Sequence, residues 1–308
     1  MSPIRRSGFT LTLFASFSCA TFLLLTSSTK ASPPEEASPT KVEIVFETNL
    51  QYGTGAGEKL TLNLARPRDG EGPYPGVVFI HGGAWQGGNK ELHDAQVKEL
   101  AQRGFVAATV GYRLAPKHIF PAQIEDCKCA VRWLRAHAAD YKLDPQRIGA
   151  VGLSAGAHLV MMLGSMDPTD GLEGSGGSSE QSSKVQAVVS FAGPTDLTAD
   201  LPEVDTDILN KFVGRSEKDA ERQKLLERAS PLHYVNAGDA PMLLFQGTRD
   251  PLIPAEQAFA MATALTKAQV PGRVEILVGA EHGWGEPDLT RTMNAMYAFL
   301  QQQLVTAK

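Results

Sequence analysis

At 308 residues with 43% hydrophobic side chains, the chain can bury a large core, as one domain or two small ones. Its formal charge of −5 deepens once residues 1–31 are set aside: these carry Arg5, Arg6 and Lys30 and no acid, so 29 basic residues become 26 against 34 acids, a formal −8. That balance argues against nucleic acid or anionic membrane surfaces as partners, and three cysteines with no CxxC spacing or Cys/His cluster leave neither a disulfide framework nor a metal motif.

Arg5 and Arg6 precede an uncharged stretch over residues 7–29, with an apolar run at 20–25 and small residues at Thr29 and Ala31. This is the pattern of an export signal over residues 1–31. The uncharged span is also long enough to serve as an uncleaved anchor. The chain is therefore expected in the periplasm or outside the cell, either free or held at its N-terminus. Residues 32–40, rich in Pro, Ser and Glu, read as a tether to a domain spanning 41–308.

From residue 41 onward β-branched runs alternate with helical patterns. Segments 41–48 and 60–67 alternate in period two, as half-buried strands do. Segments 76–81, 105–112, 147–153, 185–193, 242–247 and 274–279 are continuous apolar runs, typical of strands covered on both faces. Amphipathic stretches lie near 90–103, 121–139, 154–164, 254–269 and 288–304. Repeated strand–helix–strand order predicts an α/β domain: a mainly parallel eight-stranded sheet with helices on both faces.

Two segments interrupt the alternation. The Gly/Ser-rich stretch 165–184 runs from a helix end to a strand start, so it is expected as a surface loop away from ligand chemistry, which gathers at the carboxyl ends of strands. Residues 194–239 follow a strand end, and are expected to form a small cap over the opposite face. Cys127 and Cys129 stand two apart in a helical pattern, on different faces, and could not bridge each other.

The stretch "GLSAG" (152–156) sits between a predicted strand and a predicted helix. A reversal this sharp lifts the Ser154 hydroxyl above the sheet edge, with the Ala155 amide aimed where an oxyanion would form. Serine is a poor nucleophile without a base, and the base needs a carboxylate to hold its tautomer. Of seven histidines, His282 in "VGAEHGW" alone follows the final predicted strand. Asp250 in "GTRDPLIP" ends the strand before it and is the leading acid, with Asp196 in "GPTDL" its rival. In "HGGAW", Gly82 and Gly83 let successive N–H groups face the pocket beside Ala155, while His81 braces the loop. Trp85 and Trp284 either line an acyl or alcohol pocket or pack in the core.

Taken in order, "HGGAW", "GYRLAPKHIFPAQIEDC", "GLSAGAH", "GTRDPLIP" and "GAEHGW" resemble the α/β-hydrolase superfamily over roughly residues 60–300. The resemblance is closest to hormone-sensitive-lipase-like carboxylesterases and the bacterial feruloyl and acetyl esterases related to them. It implies an α/β-hydrolase fold, a Ser154–His282–Asp250 triad, an oxyanion hole at Gly82, Gly83 and Ala155, and a structural ion pair between Arg113 and Asp126. The reaction it implies is hydrolysis of short- to medium-chain esters, acetyl or feruloyl esters of carbohydrates among them, with no cofactor and no metal. Two rival functions stand beside it: a secreted dipeptidyl-peptidase-like serine peptidase on the same scaffold, and an inactive binding protein. Ala157 and Lys117 stand where the family often has Gly and Glu, which leaves the subfamily open.

Overall fold

The computed structural model describes residues 42–199, 201, 206–216 and 218–306. The expected signal (1–31) and tether (32–40) lie outside the described residues. Among the described residues, eight strands form one sheet: β1 (Ile44–Gly55), β2 (Glu58–Pro67), β3 (Tyr74–Ile80), β4 (Val106–Val110), β5 (Leu143–Leu153), β6 (Ala187–Phe191), β7 (Met242–Gly247) and β8 (Gly272–Leu277). Their spatial order is β1-β2-β4-β3-β5-β6-β7-β8. The β1–β2 and β2–β4 pairs are antiparallel, and every other pair is parallel.

The α-helices described are α1 (Asp94–Gln102), α2 (Ala122–Ala136), α3 (Ala138–Tyr141), α4 (Ala155–Ser165), α5 (Thr206–Val213), α6 (Asp219–Arg228), α7 (Ala255–Lys267) and α8 (Asp288–Gln301). They explain why the central strands carry unbroken apolar runs. On β3, Val78 and Ile80 join one buried cluster with α2 and α4, while Val77 and Phe79 join a second cluster with α1 and α8. On β7, Met242 and Leu244 face the first cluster, Leu243 and Phe245 the second. A strand buried on both sides has no polar face to display.

Helices α5 and α6 belong to the segment between β6 and β7, the expected cap. The expected ion pair between Arg113 and Asp126 is present and bidentate, with Nη2 to Oδ1 at 2.7 Å and Nε to Oδ2 at 2.9 Å. Cys127 and Cys129 are both free and buried.

The stretch 165–184 is more than the surface loop its composition predicts. Leu172 enters the core, Thr54 of β1 donates its N–H to the Gly176 carbonyl, and three basic residues of α2 hold the chain between them. Lys128 and Arg132, nearly inaccessible, both pair with Glu173, at 2.7 and 2.9 Å. Arg135 donates to the carbonyls of Ser182 and Lys184. Residues 128, 132 and 135 lie on one helical face, so the loop closes over a basic stripe that would otherwise meet water.

Candidate active site

Strand β5 ends at Leu153 and α4 begins at Ala155, so Ser154 occupies the turn alone, with φ 56° and ψ −120°. A non-glycine residue held there costs on the order of 1–3 kcal/mol and persists only where its surroundings over-determine it. Those surroundings are on both sides. The Ser154 N–H donates to the Phe191 carbonyl of β6 at 2.8 Å, and the Ser154 carbonyl accepts from the His158 N–H at 3.0 Å. A Cβ at position 156 would sit 2.1 Å from the Ile80 carbonyl oxygen, so the helix can approach β3 only because Gly156 has none.

Three side chains far apart in sequence meet at this turn. His282 Nε2 lies 2.8 Å from Ser154 Oγ, and His282 Nδ1 lies 2.9 Å from Asp250 Oδ2. An ionised carboxylate only accepts, so Nδ1 carries the proton and Nε2 is left to accept from the serine hydroxyl. Asp250 Oδ1 accepts from the N–H groups of Leu252 and Ile253, both at 2.9 Å, and Oδ2 also accepts from Gln246 Nε2 at 3.0 Å. Burial opposes ionisation of Asp250, but the His282 hydrogen bond and these amides outweigh it and hold the carboxyl below its ordinary range. The rival acid, Asp196, is engaged elsewhere: its Oδ1 accepts from Thr198 and sits 3.8 Å from His233.

The glycine loop after β3 passes against the same turn. A Cβ on Gly82 would meet the Leu153 carbonyl oxygen at 2.8 Å and Ser154 Cβ at 3.2 Å. Ala84 and Trp85 both hold positive φ, 52° and 59°, and the Gly83 carbonyl accepts from the N–H groups of Gln86 and Gly87. His81 braces the loop, with Nδ1 2.8 Å from the Gly82 carbonyl oxygen and its ring stacked on Tyr112 at 4.3 Å. The Ala155 N–H opens α4, among the groups for which a helix has no internal acceptor.

Beside Ser154 lies an apolar chamber of about 60 Å³, walled by Ala84, Trp85, Ala155, Pro194, Leu252 and Ile253, with Leu201 and Ile208 contributed by the segment after β6. Trp85 lines this chamber while packed on Phe212 with ring centroids 4.2 Å apart. Trp284 does not line it; its indole Nε1 donates to Thr292 Oγ1 at 2.9 Å, on the far side of the sheet.

Sequence reasoning sets His158 aside, yet it holds the chamber wall. Trp85 Nε1 donates to His158 Nδ1 at 3.2 Å, and His158 Nε2 donates to the Ala229 carbonyl at 2.5 Å, tying the tryptophan to the far end of α6. Its place one turn after Ser154 on α4 is the available signal. Burial pushes the His158 pKa down to about 4, so the ring is neutral in the native protein. An unfolded histidine titrates near 6.5. Below that pH the unfolded chain binds a proton that the native ring refuses, so stability falls as pH drops from about 6.5 towards 4. His158 should contribute on the order of 2 kcal/mol of loss between about pH 6.5 and 5. His93, also held at about 4 by burial, adds to this, while Asp239, raised to about 6 by burial, opposes it. Urea midpoints at pH 7 and 5 measure the slope, and His158→Gln should flatten it.

Comparison with known proteins places this geometry in context. The BD-FAE family pattern matches residues 62–265. The esterase LipQ of Mycobacterium tuberculosis is 32% identical over 229 residues, covering 72% of this chain and 53% of LipQ. The chain spans about half the length of the curated relatives it matches, 51 to 59% for three of them. Among solved structures, the butyrate-bound esterase Est2 of Thermogutta terrifontis is 28% identical with a TM-score of 0.71, over 87% of this chain and 97% of that one. A truncated carbohydrate esterase from gut microbiota, 24% identical with a TM-score of 0.73 over 86% and 98%, shares the fold.

Proposed function

From the premise that this chain belongs to the BD-FAE family of α/β-hydrolases, we propose that it is a serine carboxylesterase acting on esters of short acyl groups. The observation that carries this is the unbroken hydrogen-bond path from Ser154 Oγ through His282 to Asp250. In this mechanism Ser154 Oγ attacks the ester carbonyl carbon while its proton passes to His282 Nε2. Asp250 stabilises the imidazolium so formed. The N–H groups of Gly82, Gly83 and Ala155 receive the developing oxyanion. Collapse of the tetrahedral adduct returns the proton from His282 to the leaving alcohol oxygen, and water, deprotonated by the same imidazole, then frees the acid and Ser154.

The chamber volume limits the acyl group. A water molecule takes up about 30 Å³ in the liquid, so about 60 Å³ admits roughly two to four carbons, an acetyl to butyryl group. The acetyl group of an acetylated carbohydrate fits this chamber; a feruloyl acyl group exceeds it. A similar solved esterase was obtained with butyrate bound, which supports the same range. A nitrophenyl ester series from acetate to decanoate, with acetylated xylan and methyl ferulate beside it, tests the proposal. We expect kcat/KM to be greatest at acetate to butyrate and to drop at least about ten-fold by octanoate. Turnover of a dipeptidyl anilide above that of the acetate would instead mark a peptidase, and a folded sample that a fluorophosphonate does not label would mark a binding protein. Export rests on the pattern of Arg5, Arg6 and the uncharged stretch that follows. A mature N-terminus near residue 32, read by mass spectrometry on the secreted protein, is the expected product.

A further inference from the structure

Behind the catalytic turn, on the α1 and α8 side of the sheet, lies a second apolar cavity of about 170 Å³. Its walls are Phe79, Phe191 and Trp284 with Leu289 and Met293 of α8. His93 and the neutral Gln96 also line it, the His93 ring stacked on Phe79 at 4.3 Å and kept uncharged by burial, so the cavity presents no charge to a ligand. Trp284 is fixed by its hydrogen bond to Thr292 and packs near Phe191, with centroids 6.1 Å apart. Two further lining residues connect the cavity to the chemistry: Leu153 immediately precedes Ser154, and Gly283 immediately follows His282. Apart from its chain neighbours, a Cβ built on Gly283 would meet nothing within 4 Å, so there is free space beside this residue. Leu153 is itself partly exposed, an apolar side chain left at a strand end beside the nucleophile.

We propose that this cavity is the subsite for the alcohol half of the ester and takes an aromatic ring. The proposal rests on the esterase reading above. During acylation the acyl group stays on Ser154, in the small chamber, while the leaving oxygen must be within reach of His282 Nε2 to take its proton. With the small chamber filled by the acyl group, the alcohol is placed on the side where Leu153 and Gly283, the chain neighbours of Ser154 and His282, line the second cavity. An apolar cavity of about 150 Å³ accepts benzene, so one six-membered ring fits here and the small chamber excludes it. Flat aromatic walls favour an aromatic ring over an open chain through offset and edge-to-face contacts. The substrate class is then an aryl-bearing alcohol esterified with a short acid.

The test compares benzyl acetate with ethyl acetate, whose alcohols are alike enough in acidity that the chemical step barely separates them. Native enzyme should favour benzyl acetate in kcat/KM by at least about ten-fold. Leu289→Trp fills the cavity from a half-exposed position on the first turn of α8, where the fold tolerates a larger side chain; it should bring the two esters close to parity. Benzyl alcohol should compete with ethyl acetate for the native enzyme and do so at least about ten-fold less well for Leu289→Trp. A native enzyme with no benzyl preference, or a preference and a benzyl alcohol inhibition that survive Leu289→Trp, overturns the subsite. Failure of the native enzyme to hydrolyse either ester would overturn the esterase reading itself, a result that cannot be mistaken for the first.

Discussion

Replacing Ser154 by alanine should lower kcat on 4-nitrophenyl acetate by about 10⁶-fold, and Asp250→Asn by about 10⁴-fold, the scale on which such triads respond. The two losses differ for a reason visible in the hydrogen bonds. Without the Ser154 hydroxyl no acyl-enzyme forms, and what turnover remains comes from binding and any oxyanion stabilisation with water as nucleophile. In Asp250→Asn the new carbonyl oxygen would still accept from the Leu252 and Ile253 amides. The new side-chain amide, however, would point a donor at His282 Nδ1, reversing the tautomer and placing a proton on the nitrogen that must accept from Ser154. Ser154→Ala should change stability by less than about 1 kcal/mol, since the strained turn is held by the Ser154 backbone and not by its hydroxyl. Steady-state kinetics and a thermal scan on the two variants separate these effects. A Ser154→Ala variant that keeps even a hundredth of native turnover excludes the mechanism.

The same three residues show how far the chain can be read without coordinates. Ser154, Asp250 and His282 each follow from a local feature, an apolar run that stops at a polar residue, joined by chain order alone. Strand ends are legible because burial on both faces makes the strand uniformly apolar and its end abrupt, as at Gly247. Strand β1 reads too short because its second half, 50–55, mixes polar residues and glycines; its register shifts between Glu47 and Leu50 and between Gln51 and Gly53, which breaks the alternation a two-residue period relies on. The role of His158 depends on Trp85, 73 positions earlier, and on Ala229, 71 positions later. The two tryptophans offered for one pocket stand at two cavities on opposite sides of the sheet. Contacts of that kind carry no local periodicity. Trp85 and Trp284 are both aromatic residues shortly after a strand, and only the closed sheet distinguishes their surroundings.

The basic stripe of α2 leads to the largest expected effect on stability. Lys128 and Arg132 stand four residues apart on α2, yet each side chain is only 2% exposed. One carboxylate balances both: Glu173 Oε1 accepts from Lys128 Nζ and from Ser183 Oγ, Oε2 accepts from Arg132 Nη1, and Arg132 Nη2 remains buried without a partner among the described residues. Burial works against the Glu173 charge, but Lys128 and Arg132 outweigh it and hold the carboxyl below its ordinary range. Glu173→Gln would leave two buried cations without an anion. Breaking a buried pair from one side costs about 3–5 kcal/mol, and in a domain of this size each kcal/mol moves Tm by about 2–4 °C, so we expect Tm to fall by roughly 10 °C. Lys128, Arg132 and Ser183, which hold the Glu173 carboxylate, share no hydrogen bond with Ser154, His282 or Asp250 among the described residues, so kcat/KM at low temperature should stay within about two-fold of native. Exchanging all three charged residues for methionine removes cations and anion together. Because replacing a buried ionic cluster by apolar side chains is often neutral or stabilising by about 1–4 kcal/mol, the triple variant should melt well above Glu173→Gln. A triple variant no more stable than Glu173→Gln would mean that the loop's own packing, through Leu172 and the Gly176 hydrogen bond to β1, and not the charge balance, keeps 165–184 in place.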